Sequence, residues 1–212
     1  NQMLAQAEVP DRTRIISRSR LKTDNRQPTA CSLIVTVDTE EDGPWDGTFR
    51  ACGHTVRNLA GVERFQALGD RFGVRTTYLV DTPVLEDASA VELLRRIQDA
   101  GRCEIGAHLH PWCAPPWEEE AGPRNSYLCN LAERLQREKL ARLTETMEFR
   151  FGRRPTSFRA GRYGLDAVGA CILGDLGYLV DSSVIPFSDY SPEGGPVRLG
   201  GTGDTGFLRG FY

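Results

Sequence analysis

A chain of 212 residues can bury one substantial core, and 40% hydrophobic with 26% charged residues is the composition of a globular domain. The formal net charge of −3 argues against a nucleic-acid partner, and no run reaches the ~20 apolar residues of a membrane span. Six scattered cysteines do not make a disulfide scaffold and no apolar signal core opens the chain. Reduced, mostly buried thiols and a cytoplasmic location are expected, with an upstream segment left open because residue 1 is Asn.

Residues 1–29 are polar, basic in their second half and without a sustained period, which predicts an irregular lead-in to a domain over 30–212. "CSLIVTVD" (31–38) is a nearly continuous apolar run rich in β-branched residues, the pattern of a buried strand. After a turn-rich stretch, Val56, Leu59, Val62, Phe65, Leu68 and Phe72 fall at helical steps. Gly73 ends that helix, and "VRTTYLV" (74–80) predicts a second strand. Residues 87–101 have a small polar start, helical spacing and a terminal Gly. "CEIGAH" (103–108) is the third strand, followed by a loop rich in Pro and Trp. A long helix is predicted over 126–151, a strand at "TSFRAG", a helix at "GLDAVGACILGDLG" and a fifth strand at "YLVDSSV". From about Pro186 the chain is glycine-rich.

The β–α–β rhythm implies a parallel sheet covered by helices. Five strands fall short of an eight-stranded barrel, so either the sheet stays open or the chain is part of a longer protein, and the second is the expectation.

Sites in parallel α/β folds form at the C-terminal ends of the strands. Those ends carry Asp38-Thr39-Glu40-Glu41, then His108 and His110, then Arg159, then Asp181. On extended chain, residues i and i+2 point to the same side, so the two imidazoles can share an ion. Two imidazoles and one carboxylate are a frequent set for a divalent metal with an open position, and such a metal brings a water's pKa from 15.7 toward roughly 7. Of Asp38 and Glu40, one would bind the metal and the other would take a proton, with Arg159 aiming the free carboxylate. Each residue also has a plain structural reading. Asp38 could cap a helix, Arg159 could pair at the surface, and Asp181 could turn the chain through its own backbone. Trp112 and Trp117 could stack on a sugar or pack at the rim. His54 has no partner by spacing. A zinc knot of Cys103, His108, His110 and Cys113 matches no common spacing, and Cys103 opens the strand whose far end carries the histidines.

These stretches resemble the polysaccharide deacetylases of carbohydrate esterase family 4, the NodB-homology group, from about Cys31 to Pro186. "VTVDTEED" resembles the first motif of that family, "EIGAHLHPW" the second, "SFRAGRYG" the third and "YLVDSSVIP" the fourth, in the family's order. The resemblance implies a distorted (β/α) barrel of the polysaccharide deacetylase type, incomplete at the C-terminus. It implies Asp38 as base, with Glu40, His108 and His110 on the metal. Arg159 would support Asp38, Tyr163 would lie near the oxyanion position through its backbone N–H, and Asp181 would line the groove. The implied cofactor is a divalent ion, zinc first, with cobalt, nickel or manganese as alternatives. The implied partner is an acetylated carbohydrate.

The departures are specific. Thr39 stands where the family has a second aspartate, which leaves Glu40 or Glu41 to ligate. The histidines are two apart rather than four, and "RAGRYG" replaces a proline-rich third motif. No histidine follows His110, where the family supplies a general acid for the leaving group. Three readings follow: a metal-dependent deacetylase of N- or O-acetylated sugars, a non-catalytic carbohydrate- or metal-binding domain, and a metal amidohydrolase of a non-sugar amide.

Overall fold

The structure is a computed structural model that describes residues 33–43, 47–185 and 187–196. The chain divides into two units, Asn1–Leu33 and Ile34–Tyr212, and every element below belongs to the second. The lead-in expected over 1–29, the start of the first predicted strand at Cys31 and the end of the glycine-rich tail lie outside the described residues.

Five parallel strands form one sheet in chain order: β1 (Thr36–Thr39), β2 (Thr76–Val80), β3 (Cys103–Leu109), β4 (Ser157–Ala160) and β5 (Val180–Asp181). Each new strand adds beside the last, as in a (β/α) barrel, but among the described residues no strand joins β5 back to β1. The barrel is not closed. Between the strands run α1 (Val62–Arg71), α2 (Thr82–Glu86), α3 (Ala88–Asp99), α4 (Glu133–Phe151) and α5 (Ala167–Asp175).

The alternation of β3 explains both faces of the sheet. Ile105, Ala107 and Leu109 are buried in the hydrophobic core that also holds Leu94 and Ile97 of α3 and Leu140, Leu143 and Met147 of α4. Glu104, Gly106 and His108 take the opposite face. Gly106 is needed there for close approach: a Cβ would lie 2.7 Å from Leu79 Cδ2 and 3.0 Å from the Ser157 carbonyl.

Several predicted elements are shortened. The helical pattern from Val56 opens as a 3-10 turn (Arg57–Gly61) before α1. The helix expected from 126 begins as two 3-10 turns, Arg124–Ser126 and Leu128–Asn130, and becomes α-helical only at Glu133. Tertiary bonds win over periodicity here. The Asn130 amide donates to the carbonyls of Arg124 (2.7 Å) and Gly194 (2.6 Å), and the Cys129 N–H donates to the Gly164 carbonyl. Helix α2 has no counterpart among the predicted elements. Asp81 caps it by accepting from the Val84 N–H at 3.1 Å.

Candidate metal centre and its comparison with known proteins

Glu40, His108 and His110 meet. Glu40 Oε2 lies 3.0 Å from His108 Nε2 and 3.3 Å from His110 Nε2, and the two Nε2 atoms are 3.0 Å apart. Donors bound tetrahedrally to one ion at about 2.0–2.2 Å stand roughly 3.3–3.6 Å from each other. The observed triangle is slightly tighter than that, and it brings two imidazole nitrogens and a carboxylate oxygen to one point. The residues therefore fit a metal ion.

Glu41 does a different job from Glu40. Neighbouring residues on extended chain point opposite ways, so Glu41 reaches the other side of the His110 ring. Both its oxygens accept from His110 Nδ1 (3.1 and 3.0 Å), and Oε1 also accepts from the Trp112 indole at 3.0 Å. A carboxylate only accepts, so Nδ1 carries the hydrogen and Nε2 turns its lone pair toward Glu40 and His108. Trp112 stacks on the imidazole with centroids 4.2 Å apart and a 20° tilt. Burial raises the Glu41 pKa, but hydrogen bonds from His110 and Asp81 outweigh it and hold the group below the usual carboxylate range. Asp81 is raised well above its ordinary value, by complete burial first and then by Glu41. Burial, and then the nearby acids, also raise Cys113, which remains a thiol. Glu41, Asp81, His110 and Cys113 form a second group of possible ligands, but these carboxylates already serve as acceptors for the imidazole, the indole and backbone N–H groups.

Beside this triangle, β4 is in register with β3 so that Arg159 pairs with His108. Arg159 Nη1 donates to Asp38 Oδ1 at 2.6 Å and Nη2 to Thr36 Oγ1 at 2.8 Å; Nε donates to Ser182 Oγ at 3.1 Å. Asp38 and Arg159 are therefore partners. Asp181 accepts from the Ser183 hydroxyl and from the Ser183 N–H (3.1 Å), while Ser183 Oγ accepts from the Ala160 N–H at 2.7 Å. This is the chain-turning geometry of an Asp-Ser-Ser stretch. Tyr163 follows Arg162 in a 3-10 turn, and both are in the left-handed region with φ of 57° and 52°. The Tyr163 ring stacks on Tyr190 at 6.4 Å, and its pKa is raised by burial and then by Asp38.

Other candidates lie elsewhere. His54 is in an exposed bond to the Arg50 carbonyl, and Trp117 is exposed. Cys103 sits at the opposite end of β3 and shares no ligand group with the histidines, while Cys113 lies beside Asp81. Gly161 carries no reactive group, yet His110 depends on it. A Cβ there would lie 2.1 Å from His110 Cδ2 and 2.8 Å from the Leu109 carbonyl.

No protein-family model matches the chain, and no curated protein sequence matches it either. Solved structures do. The deacetylase PplD of Streptococcus pyogenes, in complex with acetate, matches at a TM-score of 0.50 and 12% identity over 73% of this chain and 57% of its own. The chitin deacetylase of Colletotrichum lindemuthianum matches at 0.47 and 22% identity, over 70% of this chain and 54% of its own. A family 4 carbohydrate esterase from Streptomyces lividans, in complex with acetate, matches at 0.45 and 18%, over 71% and 62%. The chain thus spans less than two thirds of each of these structures. With its sequential parallel sheet and the residues at the strand ends, the chain has the fold of the polysaccharide deacetylases of carbohydrate esterase family 4, with the barrel open.

Proposed function

We propose that this chain is a divalent-metal-dependent hydrolase that removes an acetyl group from an N- or O-acetylated sugar. The observation that carries the reading is the meeting of Glu40, His108 and His110 next to the Asp38–Arg159 pair. A divalent ion, when bound, supplies Lewis-acid activation of the acetyl carbonyl and of water near neutral pH. The chain's own residues do the rest. Glu40 and the two imidazoles hold the ion, and Glu41 and Trp112 fix the His110 ring. Asp38 takes the proton of the attacking water while Arg159 keeps its carboxylate aimed. The Tyr163 backbone N–H, in the turn that follows β4, is assigned to the developing oxyanion. Asp181 lines the groove through the turn it makes with Ser183. The fold shared with a deacetylase that binds acetate supports the same class of substrate.

The test is acetate release from N-acetylglucosamine oligomers by the full-length protein, with and without a chelator. Chelator-sensitive release is expected, and absence of release with metal bound would contradict the reading. A second reading is a non-catalytic carbohydrate- or metal-binding domain that uses Glu40, His108 and His110 only to hold an ion. Tight oligosaccharide binding without turnover would select it. No described helix is long and apolar enough to cross a membrane.

A further inference from the structure

We infer that Lys139 is a positioning residue of the metal centre, holding from α4 the loop that carries His110 and Trp112 into place. The inference rests on the metal site proposed above. Lysine is almost never fully buried unless paired, yet the Lys139 side chain is 0% exposed. Its ammonium contacts the carbonyls of Pro111 (3.0 Å), Ala114 (2.5 Å) and Pro116 (2.7 Å) and the Glu119 carboxylate (2.8 Å). Three carbonyls match the three donors of an ammonium, and Glu119 balances its charge. Burial pushes the Lys139 pKa down, and Glu119 pulls it back.

The sequence explains why this loop needs a cation. Three of the six residues from 111 to 116 are prolines, which have no N–H. The segment has few donors of its own, so its inward carbonyls must find a donor elsewhere or stay unsatisfied. Lys139 supplies it from outside the loop. The first of the three carbonyls belongs to the residue directly after His110. The loop's next residue, Trp112, stacks on the imidazole and donates to Glu41. A path of packed and hydrogen-bonded groups thus runs from α4 through Lys139 to the His110 ring.

The experiment measures Zn2+ affinity of the full chain by competition with a chromophoric chelator, beside thermal melting of the metal-free protein. Lys139→Met keeps side-chain length and removes the donor. Folded Lys139→Met protein is expected to bind Zn2+ about 10- to 100-fold more weakly, the range seen when an outer partner of a ligand is lost. Leu143→Ala, in the buried face of the same helix, is expected to lower the melting temperature and leave Zn2+ affinity unchanged, which separates positioning from bulk stability. If Lys139→Met does not fold, Glu119→Gln removes the counter-charge while the carbonyls remain, and at least a threefold weakening is expected. Wild-type affinity in the folded Lys139→Met protein, or in Glu119→Gln where that is the usable variant, overturns the inference and leaves the metal reading intact. A wild-type chain that binds no Zn2+ overturns the metal reading itself, and this inference with it.

Discussion

His110 is confined on several sides: Glu41 at Nδ1, Trp112 on its face, Glu40 and His108 at Nε2, and Gly161 at its Cδ2 edge. A single methyl group tests that confinement. Gly161→Ala is expected to displace the ring and weaken Zn2+ binding by at least about tenfold, read by calorimetry. An unchanged dissociation constant would mean that the ring has room the structure does not show. Asp38→Asn tests the opposite property. It should keep the metal and lower turnover by about 10²- to 10⁴-fold, the usual contribution of a general base. Loss of the ion in that variant would move Asp38 among the ligands. At this scale the sequence was informative where spacing carries geometry. His108 and His110 read as a pair because alternate residues on a strand share a face. The division of labour between Glu40 and Glu41 did not, because nothing in a one-dimensional row says which of two adjacent acids meets a ring from the far side. Asp81 was missed for a similar reason: it arrives from the end of β2, without a motif, and matters through its contact with Glu41.

The helices were legible as existing and less so in their limits. The Asp87 carboxylate caps α3 by accepting from the Ala90 N–H at 2.8 Å. Asp87→Ala should cost about 0.5–2 kcal/mol in chemical denaturation and leave Zn2+ affinity unchanged. No loss of stability would show that this cap is replaced by water. The capped start of α3 was readable from a polar residue before an apolar-periodic run. The start of α4 was not, since Leu128 and Leu131 fit the helical period and are buried all the same, but Leu128 sits in a 3-10 turn tied to Gly164 and Gly194 and Leu131 follows it in extended backbone. A five-residue helix such as α2 is too short to show a period. Only its Asp81-Thr-Pro opening, a cap followed by proline in the first turn, could have revealed it. The Lys139 clamp was equally hidden, because a lysine in a helical stretch reads as a solvated face.

Across the whole molecule, the strand–helix alternation made the parallel sheet legible, because each helix must return the chain to the same edge direction, while the same rhythm leaves the strand order open. Closure of the barrel had no such signal, and the described strands leave it open. The core makes a prediction for alkaline pH. Burial pushes the Tyr178 phenol up to about 12, against a hydrogen bond with Thr144 that lowers it. In the unfolded chain a tyrosine titrates near 10, so between about pH 10 and 12 the unfolded state sheds a proton the folded state keeps. This contribution to stability is present below pH 10 and falls as pH rises toward 12. Tyr178→Phe should flatten that part of the pH–stability curve, and an equally steep fall in the variant would place the alkaline transition elsewhere.

The account depends most on a shared ion at Glu40, His108 and His110. The direct measurement is the zinc content of the purified full chain after equilibration with Zn2+ and removal of excess, compared with the His108→Ala/His110→Ala double variant. One bound ion per wild-type chain and none in the folded double variant is the predicted result. A double variant that retains a full equivalent of zinc would contradict it.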